Sequence, residues 1–140
     1  MTRARWLVAL GLLGAIAIAI GASLGPPPPV ADTVEIDIHF SEFAPTTVRV
    51  PAGVPVRFVL VNTDPIDHEW IVGDDAVHER HRNGTEPVHG ARPTEVTIPA
   101  GTRIETVITF EGPATLAFIC HLPRHEAFGM VGTVVVTGNG

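Results

Sequence analysis

Four side chains that bind soft metal ions occur in this sequence at a spacing that suits one mononuclear site. Cys120 is the only cysteine, and His125 and Met130 follow it in a Cys-x4-His-x4-Met pattern. His68 lies upstream on a separate segment. Two imidazoles and one thiolate in a trigonal plane, with a weak axial thioether, are the ligands of copper sites that transfer electrons. The pattern therefore predicts a copper site made of His68, Cys120, His125 and Met130.

The lone cysteine also has plainer explanations. Free cysteine is among the most frequently buried residue types, so Cys120 could be a small core residue. In an exported protein it could instead be a reactive thiol or an intermolecular bridge. A single cysteine excludes a disulfide scaffold, and it excludes a binuclear copper centre, which needs two bridging thiolates.

The elements that must position these ligands are predicted to be strands. Short β-branched runs alternate with turns rich in Gly and Pro, and none of them has helical periodicity over any length. This pattern is typical of an all-β sandwich or barrel of about eight strands. The predicted strands are Thr33–Phe40, Thr47–Val50, Val54–Val61, Glu69–Val72, Glu95–Ile98, Ile104–Phe110, Thr115–Ile119 and Gly132–Thr137.

With its ligand motif at the end of a late strand, the segment from Asp32 to Gly140 resembles the cupredoxin family of small blue copper proteins. The resemblance implies a Greek-key β-sandwich that binds one type 1 copper ion. In similar proteins the early histidine ligand follows a turn that contains Asn, and Asn62 lies in such a turn before His68. Asn62 is therefore either a brace behind the site or a plain turn residue. Many family members carry Pro-Gly before the second histidine, whereas this chain has Arg124 there, either as a partner contact or as a harmless exposed side chain.

The N-terminal 24 residues have the composition of a membrane or signal segment. Arg3 and Arg5 precede 19 uncharged and mostly apolar residues, long enough for a membrane-spanning helix. We expect residues 1–24 to form a retained single-pass anchor, with a cleaved signal peptide as the alternative. In either case the rest of the chain is extracytoplasmic. Residues 25–31, with four consecutive prolines, are expected to be a stiff linker, and residues 32–140 one copper-binding domain.

A polar segment from Gly73 to Pro93 interrupts the strand pattern. Asp74 or Asp75 could cap a short helix that runs to about Arg82 and ends at Asn83-Gly84. The segment contains His78, His81 and His89, which could bind a second metal ion, although we expect a solvated polar loop. His39 is expected to face solvent. His121 follows Cys120 directly, so it should point away from the copper and lie at the surface or behind the site.

The net charge and the number of candidate ligands indicate which classes of function fit the sequence. Two of the nine arginines precede the apolar run, which leaves seven against 15 acidic residues, a formal charge of −8 for the exported part. Such a surface argues against a nucleic-acid partner and suits a basic redox protein. Four filled coordination positions leave none for substrate, so no enzyme activity is expected. The sequence thus predicts a monomeric, membrane-tethered carrier of single electrons, with copper storage or delivery as the alternative.

Overall fold

The computed structural model describes residues 32–84 and 89–138, and that part of the chain is mostly β structure. The predicted N-terminal helix and the linker lie outside the described residues. Within them no helix is long and apolar enough to cross a membrane. The strands are β1 (Asp32–His39), β2 (Glu42–Ala44), β3 (Thr47–Pro51), β4 (Pro55–Asn62), β5 (His68–Gly73), β6 (Glu95–Ile98), β7 (Arg103–Thr109), β8 (Ala114–Ile119) and β9 (Val131–Thr137). Helix α1 (Asp75–Arg82) follows β5, and a 3-10 turn (Glu126–Phe128) precedes β9.

The strands form two sheets that pack face to face. One has the order β2-β1-β4-β7 and the other β3-β9-β8-β5-β6. Both sheets are mixed, because β1 pairs with β4 and β3 pairs with β9 in parallel, while the remaining pairs are antiparallel. Side chains of β1 and β3 alternate between buried and exposed, as expected for strands with one face on a core, whereas β4 also buries three consecutive residues, Phe58–Leu60. The predicted β-sandwich is therefore confirmed.

Aromatic side chains from both sheets fill the core between them. The rings of Phe58 on β4 and Trp70 on β5 lie 4.9 Å apart, centroid to centroid, and Phe118 on β8 lies 6.0 Å from Trp70. Gly132 on β9 is required by this packing, because a Cβ there would lie 2.1 Å from the Phe118 ring. Strand β5, which begins at His68, is buried along its whole length. The core therefore holds the end of the strand that carries the predicted early ligand.

Strand β2 was not among the predicted strands. It pairs with the end of β1 around a two-residue turn at Phe40 and Ser41, both of which have positive φ angles. Such a turn usually contains Asn or Gly. Here the Asp64 carboxylate stabilises it from another loop, since the backbone N–H groups of Phe40 and Ser41 donate to its two oxygens at 2.7 and 2.8 Å.

Helix α1 confirms the predicted short helix in the polar segment. The Asp74 side chain accepts a hydrogen bond from the Val77 N–H at 3.0 Å, and the helix ends at Asn83 and Gly84, where Gly84 has a positive φ. The expectation of a solvated loop was wrong for its histidines. His78, His81 and His89 are all buried, because the helix packs on β5 and polar side chains of other elements, including Glu95 and His121, lie against them.

Candidate metal centre

The first candidate ligand, His68, is oriented by a carboxylate. His68 begins β5 and is completely buried. Its Nε2 lies 2.9 Å from Oδ2 of Asp64, so the ring donates its Nε2–H to that carboxylate. The tautomer leaves the lone pair on Nδ1, which lies 4.0 Å from the Cys120 sulfur. Carboxylates often hold metal-binding histidines in this way, because they fix both the tautomer and the ring orientation.

The turn before His68 is itself held from inside the protein. Asn62 is buried, and its Nδ2 lies within hydrogen-bond distance of the carbonyl oxygens of Ile66, Ile98 and Pro99. Its Oδ1 accepts the backbone N–H of Asp64 at 3.0 Å. Asn62 therefore acts as a brace rather than as a plain turn residue. Asp64 was not among the predicted functional residues. Its position four residues before His68 is the feature of the sequence that could have indicated this role.

The other candidate ligands lie on one loop between β8 and β9. Cys120 directly follows β8, and its N–H donates to the carbonyl of Met130 at 3.2 Å. The N–H of Met130 in turn donates to the carbonyl of His125 at 3.0 Å. Gly129 between them has a φ of 94°, which a residue with a side chain rarely adopts. These backbone contacts close the loop, so Cys120, His125 and Met130 are brought together by local structure.

The sulfur of Cys120 lies at the centre of the group. His125 Nδ1 is 3.2 Å from it, and the backbone N–H of Glu69 donates to it at 3.3 Å. Nitrogen and sulfur donors of His68, Cys120 and His125 all lie within 4.8 Å of one another. Two imidazole nitrogens and one sulfur at this spacing match the trigonal donor set that copper uses. The residues therefore fit a copper ion.

Burial determines the electrostatics of the metal-free group. It raises the pKa of the Cys120 thiol to about 11, against the weaker opposing effect of the hydrogen bond from Glu69. Burial also lowers the pKa of His125, and the neighbouring His68 lowers it further. Both shifts favour neutral side chains, so a thiolate at this position requires a metal ion to compensate its charge.

Met130 is the fourth predicted ligand. Its side chain is fully buried, and its backbone bonds to both Cys120 and His125 place it in the same loop closure. A buried thioether in this loop is compatible with a weak axial contact. The axial role itself stays a prediction.

Three of the remaining histidines, His78, His81 and His121, lie against one another. The His121 ring contacts His78 and His81 rather than the candidate copper ligands, and its side chain is only 4% exposed, so of the two expected positions it takes the one behind the site. Its Nε2 lies 3.0 Å from Nδ1 of His78, and its ring stacks on His81 at 5.5 Å. His39 is exposed, as expected. Arg124 is exposed and has a positive φ, and its guanidinium lies over the exposed Phe128 ring, 5.1 Å from the centroid, on the surface of the ligand loop.

Known proteins with similar sequences include copper-resistant cuproproteins. The chain is 36% identical to CopI of Rubrivivax gelatinosus over 97 residues, which is 67% of this chain and 59% of that protein. It is 29% identical to CopI of Pseudomonas aeruginosa, across 93% of each chain. This chain thus spans less than two thirds of the length of the Rubrivivax relative.

Solved structures with the same fold include the auracyanins. The structure of auracyanin B superposes with a TM-score of 0.66 at 26% identity, covering 78% of this chain and 91% of auracyanin B. Auracyanin from Roseiflexus castenholzii gives a TM-score of 0.65 at 22% identity, covering 78% and 99%, and shows the shared fold. The family model for copper binding proteins of the plastocyanin/azurin family matches residues 30–137. The chain therefore belongs to the plastocyanin/azurin family of copper binding proteins.

Proposed function

We propose that this chain carries single electrons through one type 1 copper ion held by His68, Cys120, His125 and Met130. One observation carries this proposal: three of the four ligand residues are fully buried, and hydrogen bonds to their side chains (His68 and Cys120) or to their backbone (Met130) position them. A copper ion bound there alternates between Cu(I) and Cu(II) and so accepts or donates one electron. Ligands that the protein fixes in advance change little between the two states, which favours electron transfer over release of the ion.

The fourth side chain offers a route to a partner. His125 is only partly buried, unlike the other three. Three exposed apolar side chains lie on the ligand-bearing loops or on the adjacent β1–β2 turn, namely Ile66, Phe128 and Phe40. Each is tied to the site through its backbone, to Asn62, His125 and Asp64 respectively. Exposed apolar side chains on these segments, together with a partly exposed imidazole, would suit transient docking of a redox protein.

The same ligand set supports a carrier rather than an enzyme. Two imidazoles, a thiolate and a thioether fill the positions of a type 1 site, so no position remains for a substrate. The proposed role of the protein is therefore to bind, orient and shield the ion while electrons enter and leave through its surface.

Retention of Cu(I) tests the carrier proposal. The reduced, copper-loaded protein is mixed with a Cu(I) chelator of moderate affinity and then reoxidised. We expect copper to stay bound and the colour of the Cu(II) form to return. A Met130→Gln variant, which replaces the thioether in the same loop, serves as the comparison for a weakened site. Release of Cu(I) from the native protein within the mixing time would instead indicate copper delivery.

The reduction potential tests the axial assignment of Met130. Met130→Gln should keep copper bound and lower the potential, because an oxygen ligand favours Cu(II) more than a thioether does. Voltammetry of the native and variant proteins measures the difference. An unchanged potential would remove Met130 from the ligand set.

We also propose that the domain is exported and tethered to the membrane by residues 1–24. Two arginines before a long apolar run support this orientation. Mass spectrometry of the protein from washed membranes should recover peptides from the N-terminal region. A mature N-terminus near Ala22 would show a cleaved signal peptide and an untethered carrier.

Copper resistance is a second candidate function, and the CopI relatives favour it. In that role the domain would limit the harm of excess copper outside the cytoplasm. Deletion of the gene should then impair growth mainly at elevated copper concentrations. For an electron carrier, the defect should appear at ordinary copper concentrations and depend on the respiratory substrate.

A further inference from the structure

A second group of buried metal-binding side chains lies on the other side of the strands that carry the copper ligands. It consists of His81 on α1, His89 before β6 and Glu95 on β6, each less than a tenth exposed. One ligand atom from each of the three lies within 4.8 Å of the others. The Glu69 carboxylate borders the group, with Oε1 3.5 Å from His89 Nε2. These residues are separate from the four candidate copper ligands.

The hydrogen bonds of His81 show which of its nitrogens is available. Nδ1 lies 2.8 Å from the Val77 carbonyl oxygen, which can only accept, so Nδ1 carries a hydrogen. Nε2 is buried and has no hydrogen-bond partner among the described residues. In the neutral ring, Nε2 therefore carries a lone pair that is buried and accepts no hydrogen bond from the described residues. A buried acceptor of this kind is costly unless something binds it.

The position of Glu95 indicates that the partner of His81 Nε2 is a cation. Its Oε2 lies 3.5 Å from His81 Nε2 and 4.0 Å from His89 Nδ1. Two ligands at about 2 Å from a tetrahedral ion are about 3.3 Å apart, which is close to the first of these distances. A charge-assisted hydrogen bond between imidazolium and carboxylate would be about 2.7–2.9 Å long. The observed spacing therefore suits two ligands on either side of an ion.

Neighbouring arginines hold the carboxylate in place. Arg92 Nη1 lies 3.0 and 2.8 Å from the two oxygens of Glu95, and Arg80 bonds to Oε1. Oε2 accepts a hydrogen bond from Arg92 and also lies within 4.0 Å of a ring nitrogen of each histidine. The two arginines also balance part of the negative charge of Glu95 and Glu69, so the group combines a fixed geometry with limited charge. Ligands oriented by hydrogen bonds in this way are typical of metal sites.

We propose that His81, His89 and Glu95 bind a second metal ion, a divalent transition-metal ion of the Zn(II) or Cu(II) type. Two imidazoles and one carboxylate are the ligands that such ions prefer, and the absence of a thiolate separates this site from one for Cu(I). Three protein ligands leave one position open. A cleft lined by Glu69, His81, His89 and His121 adjoins it and gives the ion a path of entry. The site does not depend on the electron-transfer role of the first.

Zinc titration of the copper-loaded protein tests the proposal. Tag-free protein that carries one Cu(II) per chain, in its first site, is titrated with Zn(II) in a calorimeter, and the visible spectrum reports that the first site is intact. We expect one Zn(II) per chain. His81→Gln and His89→Gln should each weaken Zn(II) binding by at least about tenfold while the visible spectrum stays unchanged.

His39→Gln is the matched control, because it removes an exposed histidine elsewhere on the surface. It should bind Zn(II) as the native protein does. The proposal is overturned if the native protein takes up no Zn(II) at micromolar concentrations. It is equally overturned if both cluster variants bind Zn(II) as tightly as the native protein, or if the control loses binding to the same extent.

Discussion

The two groups of ligands in this protein lie on opposite sides of the same two strand ends, and they differ in chemistry. His68 and Glu69 are neighbours at the start of β5, and Cys120 and His121 are neighbours after β8. Successive side chains of an extended chain point to opposite sides, so His68 and Cys120 face one group and Glu69 and His121 face the other. One pair of strand ends thus supplies two ligands of the sulfur-containing site on one side and borders the proposed carboxylate-containing site on the other.

The two groups also differ in how they are held. Loops fix the candidate copper ligands through a brace at Asp64 and backbone closure between Cys120 and Met130. The second group depends on a helix docked on β5 and on charged pairs around Glu95. A substitution that disrupts one group of ligands should therefore leave metal binding by the other group largely intact.

The largest expected effect follows from removal of the thiolate. Cys120→Ser should abolish the intense visible band of the Cu(II) protein, because that band arises from charge transfer from sulfur to copper. Binding of Zn(II) at His81, His89 and Glu95 should persist. Visible spectroscopy and calorimetry measure the two effects, and a variant with the native spectrum would rule out a type 1 site.

The next effect concerns the brace behind His68. Asp64→Asn removes the charge that orients the ring and should weaken copper binding by about 10–100-fold. The same carboxylate stabilises the turn at Phe40 and Ser41, so some loss of stability is also expected. Asp37→Asn, which removes an exposed carboxylate from β1, is the control. Competition titration with a chelator measures the affinities, and equal values would mean that Asp64 only supports the turn.

A smaller effect, on the free energy of unfolding, is expected from a substitution in the core that supports both groups. Gly132→Ala would place a methyl group against the Phe118 ring and should lower the free energy of unfolding by about 1–3 kcal/mol. Gly112→Ala adds the same methyl group where no atom lies within 4 Å, and it should change stability little. Urea denaturation compares the two variants. If they are equally stable, the close approach of β9 to Phe118 is not a real constraint.

Local patterns were sufficient to predict much of the fold and the candidate copper site. The alternating run in β1 and the β-branched run in β4 identify strands without any tertiary information, and the Asp74 cap identifies α1. The Cys-x4-His-x4-Met spacing works for the same reason, because one loop brings those residues together through its own backbone bonds.

Features that depend on contacts between distant segments were missed. Strand β2 lacks a turn signal of its own, because the Asp64 carboxylate replaces the usual Asn or Gly. The segment around His78 and His81 is polar and therefore resembles a solvated loop. It is buried because its partners, including Glu95 and His121, come from other strands and loops. The sequence of a polar segment alone does not show which charged side chains from distant segments will contact it.

The smallest predicted effect is a pH dependence that comes from the histidines between the two groups. His78 Nε2 donates towards the carbonyl oxygens of Gly73 and Ala117, and burial lowers the pKa of His78. Burial likewise lowers the pKa of His121 to about 4. The unfolded chain, with histidine pKa values near 6.5, therefore binds protons more readily than the folded chain does. Stability should be complete above about pH 6.5 and fall as the pH decreases below it, by at most about 1.4 kcal/mol per pH unit for each histidine.

Comparison of variants isolates this contribution. Urea denaturation of metal-free Cys120→Ser protein between pH 7 and pH 5 avoids both copper binding and thiol titration. His78→Gln in the same background should reduce the slope, because one buried group no longer gains a proton on unfolding, whereas His39→Gln removes an exposed histidine and should leave it unchanged. The difference between variants cancels the carboxyl groups that titrate nearby, including Glu126, which lies 3.5 Å from His121. Identical slopes for the His78 variant and its parent would mean that the buried imidazole is protonated as easily in the fold as in the unfolded chain, and the polar group between the two sites would then be better hydrated than its burial indicates.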